Sequence, residues 1–200
     1  MPPSPQPIGR RERNKRDKQE RIIAAARELF DAHGVDAVTT QQIADKADIG
    51  TGTLFLYARS KSELLLLVQN SGYVAALEEG MAAAESKTDV LDAVLAIIRP
   101  IVECNRTHVE NGRTYLRELV FGDPQEPHHR DALMLTLKTE AAVAAVLSRD
   151  GRVEASDAVT FAQIISAIMF VSMAATINTT RSVDEIIAEI AGRMRVMLPG

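Results

Sequence analysis

The chain has no tryptophan, a single cysteine, and only 4% aromatic residues among its 200. With Cys104 alone, no disulfide can form within the chain, and nothing demands an oxidising compartment. The opening "MPPSPQPIGRRERNKR" carries basic residues but lacks the apolar stretch of a secretion signal. The longest apolar run, residues 164–177, is fourteen residues long and is interrupted by two serines and a threonine. That is short for a bilayer span and predicts a buried helix instead. Strand-type alternation and hairpin dipeptides are missing, as are a nucleophile elbow, a glycine-rich phosphate loop and a metal-ligand cluster. A cytoplasmic protein is expected, with no membrane contact, no cofactor and no catalytic residues.

Hydrophobic residues make up 46% of the chain and charged residues 25%, an ordinary globular balance with a core of sizeable volume. Ala, Leu, Ile and Val dominate, which favours helices packed through small and straight-chain residues. The net charge of −4 hides an asymmetry. Residues 1–61 hold 11 Lys/Arg against 8 Asp/Glu, and the remainder hold 12 against 19. A basic front and an acidic body are what a protein needs when only one end meets phosphate. A basic tail that merely sits in solvent has the same composition, so charge alone leaves both readings open.

Periodicity of 3.6 residues recurs along the chain. From Asp17, Ile22, Ala25, Ala26, Leu29 and Phe30 fall on one helix face, and Gly34 follows as a left-handed C-terminal residue. Thr39 and Gln42 have capping-box spacing ahead of a short helix with Ile43, Ala44 and Ala47. After a brief turn, Thr51–Tyr57 reads as a two-turn helix. Ser60 and Glu63 form a second capping-box pattern, starting a long helix to about Ala84. Two short helices joined by a tight turn make a helix-turn-helix, whose second helix can enter a major groove. Beyond residue 86, helices are expected over the stretch through His108 with Pro100 kinking it, over Gly112–Phe121, over Asp131–Ser148, over Ala155 to about Thr179, and over Val183–Leu198. The segment "DPQEPHH" reads as a loop with solvated His128 and His129. The helix from Ala155 is nearly apolar all round and must be buried from every side.

The ordered set Gly34, Thr39, Ile43-Ala44, Ala47, Ile49, Gly52-Thr53-Leu54-Phe55, Ser60-Lys61 and Leu64 resembles the N-terminal pattern of TetR-type transcriptional regulators. The likeness covers about residues 17–65. It implies an all-α protein of about nine helices, with a three-helix DNA-binding domain joined to a larger helical domain for ligand binding and dimerisation. The expected division is a disordered basic arm over 1–16, the helix-turn-helix domain over 17–64, and the effector and dimerisation domain over 65–200. Asp48 and Gly50 stand where the family often has Gly and Ser, which leaves Thr51 as a possible cap. Phe55 replaces a usual Tyr, and Ala58 a usual Phe.

The candidate DNA-facing residues are Arg10, Arg11, Arg21, Thr39, Thr40, Gln42, Thr51, Gly52, Thr53, Phe55, Tyr57 and Lys61. Leu54 is expected to face the core. Gly52 fits either a close backbone approach to DNA or crowding between helices. Thr53 can bond a base edge or offer its methyl to thymine. Lys61, in the first turn of a helix, opposes the helix dipole, which makes sense beside a phosphate. A homodimer, expected through the last two helices, supplies two half-sites and hence a palindromic operator on double-stranded DNA.

The resemblance also implies a small-molecule effector, largely apolar, whose binding releases the operator. Candidate lining residues are Cys104, His108, Tyr115, Phe121, Met134, Phe161 and Met169, for each of which core packing is the plainer reading. Cys104 and His108 stand four apart on one expected helix, a metal-ligand spacing, but no third ligand accompanies them and no metal is expected. The rival function is a helical small-molecule binder or enzyme that never meets DNA, and an activator is the alternative to a repressor.

Overall fold

A computed structural model describes residues 9–149, 151 and 153–198. Every regular element among them is helical: α1 Arg10–His33, α2 Thr40–Lys46, α3 Thr51–Leu54, α4 Lys61–Glu85, α5 Val90–Arg106, α6 Val109–Phe121, α7 Pro127–Leu147, α8 Ala155–Ala174 and α9 Val183–Met197, with a 3-10 turn at Thr176–Asn178. The all-α expectation and the two-part arrangement hold.

Local chemistry starts most of these helices. Thr39 and Gln42 form both halves of their capping box. Ser60 caps α4 by accepting from the Glu63 amide, but the Glu63 carboxylate accepts from Arg59 N–H instead of closing the box. Asp89 caps α5, and Ser182 with Glu185 closes a full box on α9. Gly34 has φ 77° and ψ 152°, so the positive φ that called for glycine is present, although ψ lies outside the left-handed helical well.

The small domain closes on Ile22, Ala26, Phe30, Ile43, Ala44 and Leu54, each at most 1% exposed. Burying a side chain the size of Leu54 contributes roughly 1.5–3 kcal/mol, which matters for so short a helix. In the larger domain α4 packs most extensively on α5, α7 lies against both α4 and α8, and α9 covers α5. Gly80 permits the α4–α5 crossing, since a Cβ there would stand 2.7 Å from the Ile97 carbonyl oxygen.

Several boundaries differ from the sequence expectation. The basic segment from Arg10 is helical and extends α1, so of the expected disordered arm only residues 1–8 lie outside the described residues. The recognition helix is a single turn, followed by tighter i to i+3 bonds from Leu56 to Thr53 and from Tyr57 to Leu54. Pro100 does not interrupt α5. Pro127 opens α7 at its first position, where its missing N–H costs nothing, so His128 and His129 are helical and His129 is buried. α8 ends at Ala174 rather than near Thr179. Its 20 residues and mean hydropathy of 1.6 are sufficient on length and composition to cross a membrane. It packs on α5, α6, α7 and α9, yet Val159, Ile164 and Val171 stay exposed, so it is not buried from every side.

Candidate nucleic-acid interface

α2 and α3 meet at a turn through Asp48, whose φ of 52° is the left-handed conformation that a glycine would adopt without strain. Asp48 also faces Arg21 at 3.6 Å, with both side chains largely in solvent. Gly50 is the residue ahead of α3 and offers no side-chain cap. Thr51 does not serve as the cap either. It is the first helical residue, and its hydroxyl donates to Gln41 Oε1 at 2.7 Å, while Gln41 Nε2 donates to Asp45 at 2.7 Å. The first of these bonds ties α3 to α2, and the second, within α2, holds the Gln41 side chain in place.

The outer arc of α3 is open. A Cβ added at Gly52 would meet nothing within 4 Å, which removes helix crowding as the reason for that glycine. Thr51 and Thr53 are half-exposed, Phe55 is exposed, and Leu54 turns inward. Leu56, which the sequence reading did not single out, is 84% exposed beside Phe55. Leu56 stands in solvent at the end of the helix-turn-helix, and its spacing alone did not mark it. Ala58 is buried, so its methyl fills the place where α3 turns toward α4.

Two other candidates are partly engaged within the protein. Tyr57 donates its hydroxyl to the Lys15 carbonyl at 3.3 Å, which fastens the end of the recognition element to the basic first half of α1. Lys61 donates to the carbonyls of Asp36 and Val38, at 3.1 and 3.3 Å. Its ammonium therefore holds the α1–α2 turn and keeps one donor over. Gln42 has its carbonyl oxygen committed to the Thr39 backbone and hydroxyl, leaving its NH2 free to act outward. Arg10, Arg11, Thr39 and Gln42 are exposed and Thr40 is half-exposed.

The residues named for an effector do not gather around one cavity. Phe121, 82% exposed, lines an α6–α8 cavity of about 460 Å³ together with Arg113, Arg117 and Phe170. Met134 lines a different cleft, of about 310 Å³, between α1, α4 and α7. Tyr115 and Met169 are core residues, and Phe161 and Cys104 are half-buried against the core. The idea that Cys104 and His108 share a helix face is corrected: α5 ends at Arg106, and His108 caps α6 by accepting from the Asn111 amide. Among the described residues no three metal-ligating side chains come together. The interior is nevertheless polar at one place. Tyr73 bonds Thr139 at 3.0 Å, and Tyr115 donates to Asn70 at 3.0 Å. Burial pushes the Tyr73 phenol up to about 12 and raises that of Tyr115 further, so both are neutral donors.

The profile described as "Bacterial regulatory proteins, tetR family" matches residues 22–68. A 74-residue stretch is 34% identical to the HTH-type transcriptional repressor KstR of Mycobacterium tuberculosis, covering 37% of this chain and 30% of that protein. The chain thus matches under a third of the length of that relative. Among solved structures, a TetR transcriptional regulator from Rhodococcus sp. RHA1 superposes with a TM-score of 0.71 at 17% identity, over 92% of this chain and 97% of that one. Thermus thermophilus FadR, a TetR family transcriptional repressor in complex with lauroyl-CoA, gives 0.70 at 20% identity, over 91% and 96%. At such identities the likeness is one of fold.

Proposed function

We propose that this chain, whose residues 22–68 match the tetR family of bacterial regulatory proteins, is a cytoplasmic, ligand-responsive repressor of that family that binds a palindromic operator as a homodimer. The observation that carries the reading is the open arc at Gly52, flanked by Thr51, Thr53 and Phe55 and backed by buried Leu54. A backbone without a side chain there can lie against DNA while the two threonines address base edges and phosphates. Thr39 is exposed at the N-terminus of α2, whose first N–H groups suit a phosphate. Arg10, Arg11 and Arg21 add counter-charge along α1, with Lys61, Tyr57, Thr40 and Gln42 at the margins.

The exposed apolar residues of α8 support self-association through α8 and α9. Ile164 and Val171, seven residues apart, share one exposed face of α8, an apolar surface that a second copy would cover. KstR and FadR are both named repressors, which favours repression over activation. FadR holds lauroyl-CoA, which supports a largely apolar effector for the C-terminal helices of this chain.

Selection of the full-length protein against a randomised DNA duplex pool tests the reading. Enrichment of a two-fold symmetric sequence, bound with strong salt dependence, is expected. No enriched sequence at any salt concentration, with turnover of a small molecule instead, would establish the rival reading.

A further inference from the structure

Three hydrogen bonds run in series from the interior of the C-terminal domain to the recognition element. Tyr115 on α6 donates its hydroxyl to Asn70 Oδ1 on α4 at 3.0 Å. The same amide donates through Nδ2 to the backbone carbonyl of His128 on α7 at 2.8 Å. The His128 ring meets the carbonyl of Tyr57, just beyond α3, at 2.7 Å through Nε2. A carbonyl only accepts, so Nε2 carries the proton, and Nδ1 faces Asp131 at 3.6 Å. Every bond in the series therefore donates toward the DNA-binding head; the first two share the Asn70 amide and strengthen one another, while the third is coupled to them mechanically, through the placement of His128.

The Tyr115–Asn70 bond is buried and the two bonds at His128 are partly buried. Tyr115 is 2% exposed and Asn70 7%. They join segments 45, 58 and 71 positions apart in the chain. The recipient is weakly held by its own ladder, since a four-residue helix followed by i to i+3 bonds has little intrinsic stability. What fixes it is the burial of Leu54 and Ala58, the Tyr57 hydroxyl on Lys15, and the His128 strut. Asn70 and His128 also line the cleft between α1, α4 and α7, so the middle of the series can be reached from solvent.

We infer that Tyr115, Asn70 and His128 form a relay by which the state of the C-terminal interior sets how firmly the recognition element, residues 51–58, is held. The inference deepens the proposed function, because it assigns the regulation of the same DNA-reading surface. It makes His128 and Tyr115 positioning residues for DNA binding, although the described geometry gives neither of them a place on the DNA face.

Amide hydrogen exchange on the full-length protein, without DNA, tests it. Tyr115→Phe removes one oxygen and keeps the ring, and His128→Ala removes the strut. Both are expected to speed exchange over residues 51–58 by about tenfold, the scale of one sheltered hydrogen bond, while α9 exchanges as in the wild type. His128→Gln, whose amide nitrogen can take the position of Nε2, is expected to restore most of the protection. Unchanged exchange over 51–58 in Tyr115→Phe, an equal rise throughout the chain, or failure of His128→Gln to outperform His128→Ala would overturn the relay.

A second arm uses the duplex selected by the wild-type protein. Tyr115→Phe is expected to weaken that complex severalfold and leave binding to a scrambled duplex unchanged, and equal loss on both would count against the relay. If the wild type selects no duplex, the proposed function fails by itself, while the exchange experiment still decides the relay.

Discussion

Asn111 donates its side-chain amide to the carbonyl of Phe30 at 2.8 Å, joining α6 to the last turn of α1. Its Oδ1 accepts from the Val35 amide at 2.8 Å, so one fully buried side chain satisfies two backbone groups at the end of α1. The ring of His108, the N-cap of α6, lies against Gly34 in the same place. The end of the first DNA-binding helix is thus capped from the other domain.

Asn111→Ala should therefore cost about 1–3 kcal/mol, because the buried Val35 amide loses its partner, whereas the Phe30 carbonyl keeps its bond from the Gly34 N–H. Asn111→Asp keeps an acceptor for Val35 but presents a carboxylate to the Phe30 carbonyl, and should do no better. Urea unfolding of the full chain measures both; a loss below 1 kcal/mol for the alanine variant would remove the clamp from the account of stability.

Gly52 separates folding from DNA contact. Open space surrounds it, so Gly52→Ala should leave stability unchanged or raise it by up to about 1 kcal/mol through helix propensity. Operator affinity should fall at the same time, since a methyl then stands between backbone and DNA. A variant that binds the selected duplex like the wild type would place Gly52 away from the interface.

Thr53→Ala and Lys61→Ala should fail in different ways. The threonine variant is expected to change the preferred sequence, whereas the lysine variant weakens all duplexes alike and lowers the salt slope by about 1. Lys61→Ala also frees the carbonyls of Asp36 and Val38, so its thermal midpoint should drop slightly, which Thr53→Ala should not do. Binding titrations at several salt concentrations separate the two.

The capping box on α2 is a local device and should behave as one. Thr39→Ala is expected to cost about 1 kcal/mol and Thr39→Ser much less, measured by urea midpoint.

Burial pushes the Cys104 thiol up, with nearby Asp31 adding to the rise and Arg27 opposing it. The reactive thiolate is scarce near neutral pH, so alkylation by iodoacetamide should be much slower in the folded protein than in urea. As pH climbs through the ordinary thiol range, the unfolded chain loses this proton before the folded one does. The stability contributed by the raised pKa is present below that range and is lost as pH rises through the folded value. Cys104→Ala should remove this part of the alkaline decline in stability. An alanine variant with the same alkaline profile would assign the decline to other groups.

The helix starts at Thr39, Ser60 and Val183 and the inward face of α1 were legible because each depends on residues three or four apart. The same is true of the helix-turn-helix order and the inward position of Leu54. Pro127 misled, because a proline marks both a loop and the first position of a helix, and only the packing of His129 beneath α6 distinguishes them.

What the sequence by itself determined is therefore a set of helices and the face each turns inward, since capping and periodicity act within a turn or two of chain. Tertiary structure alone decided that Lys61 grips the α1–α2 turn, that Tyr57 anchors to α1, and that Cys104 and His108 lie on separate helices. It also decided that Asn111 and His128 fasten the two domains together. Most of these are side-chain bonds to backbone groups tens of positions away. A backbone carbonyl is the same at every residue, so no pattern of side chains can announce which one will be met.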